Sequence, residues 1–165
     1  MSQEVVADTG PLIALAHVGK LDLLRRLYGR VTVPKSVVSE LAIGSSRPGV
    51  GALEAALCAG WLSCQEVSDS GLLKELRRLL GPGEAEAIAL ALEERARFLL
   101  IDDARGRRLA RDRGVSVVGV AGVLLAAKAR DELSTVGSTL QDLSNAGYRL
   151  SPRLIADVLA AAGEE

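Results

Sequence analysis

Acidic residues stand in this sequence at places where chemistry is easily done. Asp8 closes the run Glu4-Val-Val-Ala-Asp8, and the pair Asp102-Asp103 closes Phe98-Leu-Leu-Ile101, so two apolar runs end in carboxylates. Glu40 lies in Val37-Val38-Ser39-Glu40-Leu41, and Glu84 and Glu86 follow Gly81-Pro82-Gly83. Two carboxylates about 4 Å apart repel by roughly 4 kcal/mol at an effective dielectric near 20, so several gathered together call for a cation. Oxygen donors with no His or Cys beside them select Mg²⁺ or Mn²⁺ over zinc. An ion held that way suits in-line displacement at phosphorus, and the expected reaction is phosphodiester hydrolysis. Each acid also has a plainer use: Asp8 before Thr9 and Gly10 suits a turn, Glu40 a solvated helix face, and Asp102 or Asp103 the N-cap of a following helix.

The elements that must position these acids follow from the apolar pattern. Val5 to Ala7, Val31 to Val33, Leu62 to Val67, Phe98 to Ile101 and Val115 to Val118 read as short strands. Between and after them, 12–18, 21–28, a stretch from Pro34, 52–59, 72–80, 84–95, a stretch through Ala110, 123–129, 140–146 and 152–162 read as helices. Alternating strands and helices predict a parallel sheet covered on both faces, with its functional site outside the carboxyl ends of the strands. Glu84 and Glu86 cannot both face such a site, because residues two apart on a helix lie about 200° apart. Glu84 shares the face of Ile88, Ala91 and Leu92, whereas Glu86 lines up with Leu90 and Glu93; a later helix start would favour Glu86.

The 165 residues, 48% of them hydrophobic, suit a single domain spanning 1–165, with 133–165 as a helical C-terminal extension. A formal net charge of −1 excludes a protein that coats nucleic acid through bulk positive charge. A basic surface must therefore be local, and Arg105, Arg107, Arg108, Arg111 and Arg113 supply it just beyond the acidic pair. Trp61, Tyr28, Tyr148 and Phe98 are the only aromatics, which argues against base stacking on an aromatic platform as in single-strand binders. Cys58, Cys64 and the lone His17 do not make a zinc site. Met1 to Val6 lacks the features of an export signal and no apolar segment reaches membrane-spanning length, so the expected location is the cytoplasm.

Four segments together resemble the PIN-domain nucleases: Val5-Val-Ala-Asp-Thr-Gly-Pro-Leu-Ile-Ala-Leu15, Val33-Pro-Lys-Ser-Val-Val-Ser-Glu-Leu41, Gly83-Glu-Ala-Glu-Ala-Ile-Ala-Leu-Ala91 and Leu99-Leu-Ile-Asp-Asp-Ala-Arg-Gly-Arg-Arg-Leu-Ala110. The resemblance implies a three-layer α/β/α fold around a central parallel sheet and Mg²⁺- or Mn²⁺-dependent ribonuclease activity. By motif position, Asp8, Glu40, Glu84 or Glu86, and Asp102 or Asp103 would serve catalysis. The metal would be held by Asp8, Glu40 and Asp102 or Asp103, with Thr9 as a supporting hydroxyl. Arg105 and Arg108 are candidates for the RNA backbone. The third segment departs from the family's common pattern, carrying two glutamates where an aspartate is usual. Many small members look like toxins inhibited by a neighbouring antitoxin, and homodimers are frequent. The segments from Val115 to Lys128 and from Ala146 to Ser151 resemble a less studied PIN subgroup. The chief alternative is a PIN-like module that binds RNA or protein without cutting. An aspartyl phosphotransfer site is a weaker fit, since it would want an aspartate two residues after Asp8 and Gly10 stands there.

Overall fold

The computed structural model describes residues 3–165. The reading of residues 1–6 as lacking an export signal falls partly on Met1 and Ser2, which lie outside the described residues. Strands β1 (Val5–Ala7), β2 (Val31–Pro34), β3 (Leu62–Gln65), β4 (Phe98–Leu100) and β5 (Val117–Val118) form one sheet in the order β3-β2-β1-β4-β5. Every pairing is parallel. The β-branched and aliphatic runs suit strands buried on both faces, and side chains alternate between them. Val5, Ala7, Phe98 and Leu100 join one core cluster, while Val6, Leu99 and Ile101 join the other.

Helices α1 (Thr9–His17), α2 (Asp22–Tyr28), α4 (Val50–Ala59), α8 (Val120–Ala129), α9 (Val136–Asn145) and α10 (Pro152–Ala162) cover the first face. Helices α5 (Gly71–Leu79), α6 (Pro82–Glu93) and α7 (Ala104–Asp112) cover the second. The three-layer α/β/α architecture with a central parallel sheet and C-terminal helices is thus the one the sequence leads to expect. The chain leaves β1 into α1 on one face and leaves β4 into α7 on the other. The strand order reverses between these neighbours, and a crevice opens at their carboxyl ends. Alanine is what lets α6 lie close over the sheet: Ala85, Ala87, Ala89 and Ala91 are all buried.

Several local boundaries differ from the sequence reading, three of them near the acids or at the sheet edge. Helix α6 starts at Pro82 rather than Glu84, with Gly81 as N-cap. Proline's fixed φ and missing N–H suit the first helical position, so Gly81-Pro82-Gly83 opens this helix as well as closing the previous one. Helix α3 (Lys35–Glu40) is only six residues long, and Ala42 turns the chain with φ +57°. Glu40 is therefore the last residue of its helix. Strand β5 is confined to Val117 and Val118.

The C-terminal helices complete the core. Leu133, Val136, Leu140, Leu143 and Val158 belong to the same buried cluster as the β1 and β4 side chains. Among the described residues, no helix is long and apolar enough to cross a membrane. Because Leu143 is fully buried, Leu143→Ala should cost about 2–5 kcal/mol of unfolding free energy. A denaturant midpoint unchanged by this substitution would show α9 to be an appendage.

Candidate active site

The crevice beyond β1 and β4 encloses about 260 Å³ and is lined by Asp8, Thr9, Gly10, Glu40, Glu84, Asp102 and Asp103, among others. Asp8 is its deepest acid. The Asp8 amide donates to Leu100 O at 2.9 Å, continuing the β1–β4 ladder by one residue and fixing the backbone where α1 begins. Asp8 is only 6% exposed, and its Oδ1 is buried with no hydrogen-bond partner. Burial pushes the pKa from 3.8 to about 7. The Thr9 backbone N–H opposes the rise, while Glu84, Glu40 and Asp103 add to it. A buried acceptor left unpaired is costly, so this oxygen marks a place built for something else to meet it.

Glu40 sits at the C-terminal end of α3, where a helix dipole disfavours negative charge. Its carboxylate is instead anchored across the crevice. Oε2 accepts from the Thr9 hydroxyl at 2.7 Å and Oε1 from the Gly83 amide at 3.1 Å. Gly83 N–H is one of the unpaired donors in the first turn of α6, so the acid is transferred from an unfavourable helix end to a favourable one. This requires glycine at 83, because a Cβ there would stand 2.6 Å from Glu40 Oε1.

Glu84 occupies the third position of α6, half-buried, and its carboxylate is hydrogen-bonded back to the Gly81 backbone. That is half of a capping box. Burial is the main cause raising its pKa; Asp103 and Glu40 add to it, while Arg105 opposes it. Glu86 is a different residue in every respect. It is buried away from the crevice, accepts a hydrogen bond from the Ser36 hydroxyl and lies 3.7 Å from Arg77. The early start of α6 places Glu84 on the crevice side and turns Glu86 between α3 and α5, so the structure does not bring Glu86 into the site.

The adjacent aspartates also part. Asp103 caps α7, its Oδ2 accepting from the Gly106 amide at 2.7 Å, and it is the member of the pair that acts electrostatically on both Asp8 and Glu84. Asp102 lines the rim, where it accepts from the Val120 amide at the head of α8, at 3.2 Å to Oδ1 and 3.3 Å to Oδ2. It also accepts from the Tyr148 hydroxyl. Burial raises its pKa against these hydrogen bonds and the Arg107 guanidinium. Gly119 leaves the room it needs, since a Cβ there would collide with Asp102 Oδ1. Arg107, one of the arginines just beyond the acidic pair, donates to Ile101 O at 2.8 Å. Tyr148 is a site residue that sequence reasoning missed, and its only signal was its place in the segment from Ala146 to Ser151, which resembles a PIN subgroup.

Thr9 uses its hydroxyl to hold Glu40. Arg105 and Arg108 lie exposed on the outer face of α7, Arg105 near enough to Glu84 to oppose its pKa rise. Among the described residues, no three Asp, Glu, His or Cys side chains converge to form a ready-made ion cage. Glu40, Glu84, Asp102 and Asp103 are turned onto backbone groups instead, which is how a cluster of like charges relaxes.

The raised pKa of Asp8 has a signed consequence for the metal-free protein. The folded state keeps this proton up to about pH 7, whereas the unfolded chain releases it near 3.8. The Asp8 contribution to stability is full below the unfolded value and is lost as pH rises through the folded one. Melting temperature in EDTA should therefore fall between about pH 4 and pH 7, by several degrees at roughly 2–4 °C per kcal/mol. Asp8→Asn should flatten that slope and melt at or above the parent near neutrality. A mutant melting well below the parent at pH 7 would show that Asp8 serves the fold as a carboxylate.

A family model described as a PIN domain matches residues 4–164. No curated protein and no solved structure matches the chain. PIN domains are generally nucleases, and the match extends over the C-terminal helices that hold Tyr148 against the crevice. With its parallel sheet, acids at the ends of β1 and β4, and a match across nearly its whole length, this chain belongs to the PIN-domain family.

Proposed function

We propose that this protein is an endoribonuclease that hydrolyses RNA phosphodiester bonds with Mg²⁺ or Mn²⁺. The observation that carries the reading is Asp8, a buried acid with one unpartnered carboxylate oxygen, which lines a crevice together with Glu40, Glu84 and Asp103. The crevice offers carboxylate and hydroxyl oxygens and no His or Cys, a donor set that fits a hard divalent cation. Asp8, Glu40, Glu84 and Asp103 would hold it, while Asp102, tied to α8 and Tyr148, keeps the end of β4 in place. When bound, such an ion supplies Lewis acidity toward phosphorus and lowers the pKa of water. The chain's own residues do the rest. Thr9 and Gly83 hold Glu40 at the crevice, the heads of α6 and α7 offset its negative charge, and Arg105 and Arg108 draw the phosphate backbone toward it. The resemblance, rather than the crevice, is what suggests the toxin half of a toxin–antitoxin pair, an antitoxin partner and pairing of two copies, while the cytoplasmic setting rests on the sequence. Of the apolar residues near the C-terminus available to join two copies, Val158 is already buried, leaving exposed Leu154 and half-buried Ile155 and Leu159.

Digestion of a mixed RNA should proceed with Mg²⁺ or Mn²⁺ and stop in EDTA. Asp8→Asn should lose activity by orders of magnitude, whereas Glu86→Gln, which preserves a partner for Ser36, should stay within several-fold of the parent. Cutting that persists in EDTA, or at parental rate in Asp8→Asn, would overturn the reading. Replacing Arg105 and Arg108 together with Ala should weaken RNA binding and flatten its dependence on salt. A salt titration superimposable on the parent's would place the RNA elsewhere.

A further inference from the structure

Gly10 has no evident reason to be glycine. It lies in the first turn of α1, outside the positive-φ positions, and a Cβ built on it would meet nothing within 4 Å. Glycine inside a helix is less favourable than alanine, and neither turn geometry nor packing explains its use here. Its location does offer a reason. Gly10 lines the carboxylate crevice and also a second groove of about 250 Å³. That groove is lined by Gly10, Ile13, Ala14 and His17, one face of α1 at helical spacing, and by Ala146 and Tyr148 from the turn after α9. Gly10, Ile13 and His17 are exposed along it. Tyr148 joins the two sites from the other side, its hydroxyl on Asp102 at the crevice and its ring on the groove wall.

We propose that this groove seats one base of the RNA, that of a nucleotide adjoining the phosphate at the carboxylates. The inference rests on the nuclease reading and names a substrate subsite for it. The groove falls below the roughly 300–1,000 Å³ of pockets that enclose drug-sized ligands, so it suits a single ring system. Its walls are largely apolar and carry one imidazole and one phenol ring, which fits the faces and edges of a base and does not fit a phosphate. Adjacency to the crevice at Gly10 is what selects a nucleotide over a separate partner: phosphate and base are covalently linked through the ribose, and the two cavities share Gly10, which has no side chain. A single base needs no extended aromatic platform, so the scarcity of aromatics is no obstacle. Any side chain at position 10 would stand in the passage.

His17 is the only histidine in the chain, so its imidazole signals in an NMR spectrum report occupancy without ambiguity. The experiment titrates the full chain, in Mg²⁺, with a short oligoribonucleotide carrying non-hydrolysable linkages. A matched series carries abasic positions scanned through the sequence. The intact oligonucleotide should shift the His17 ring signals saturably, and one abasic position should abolish the shift. Gly10→Leu should melt no lower than the parent, since the space is open and leucine favours helix. It should nevertheless bind the intact oligonucleotide about fivefold to a hundredfold more weakly, the range expected on losing one base contact. Abasic oligonucleotides test the unaltered protein, so the answer does not depend on the mutant folding. Crevice amides such as Gly83 moving while His17 stays still would overturn the subsite, as would a His17 shift produced equally by every abasic oligonucleotide. Metal-dependent cutting with either of those results leaves the nuclease reading standing without the subsite. Absence of both cutting and binding removes the two together.

Discussion

Burial of the Asp8 carboxylate is the constraint to which the surroundings answer. A charge taken out of water at the end of a central strand, with Glu40, Glu84 and Asp103 close enough to raise its pKa further, is costly in a low-dielectric setting. The fold meets the cost of the neighbours with backbone amides. Glu40 reaches the Gly83 N–H, Asp103 the Gly106 N–H and Glu84 the Gly81 backbone, so helix heads absorb three of the four acids. Among the described residues, Asp8 alone keeps a buried side-chain oxygen without a partner. The arrangement holds negative charge ready and leaves the deepest group unsatisfied, which is the condition under which a cation binds with gain.

The division of labour within each acidic pair follows from where the chain turns. After β4, Asp102 still belongs to the strand's extended end and points to the head of α8, whereas Asp103 is already the N-cap of α7 and faces Asp8. On α6, two residues of separation send Glu84 to the crevice and Glu86 into the contact with Ser36. Asp102 also draws the C-terminal segment into the site through Tyr148, and α9 and α10 pack on the same cluster as β1 and β4. The C-terminal helices are therefore part of the frame that shapes the crevice.

Much of this was legible in the sequence. The continuous apolar runs of Val5 to Ala7 and Phe98 to Ile101, the helical periodicities and the acids ending two strands are local properties, and they were sufficient for a parallel three-layer fold and a carboxylate crevice. The choice between Glu84 and Glu86, and between Asp102 and Asp103, was beyond it. Each choice turns on a helix start or a capping bond that shifts by one or two residues with tertiary contacts, and one residue of shift rotates a side chain by about 100°. The Glu40 anchorage, the Tyr148 bond to Asp102 and the clearances at Gly83 and Gly119 join residues 31 to 46 apart in the chain, or depend on such joins. Residue types and spacing determined which chemistry the chain carries, because carboxylates at strand ends are a local pattern. Only the tertiary structure decided which oxygens are held and which one is left free, because hydrogen bonds between distant segments exist only once the sheet has brought β1 and β4 side by side.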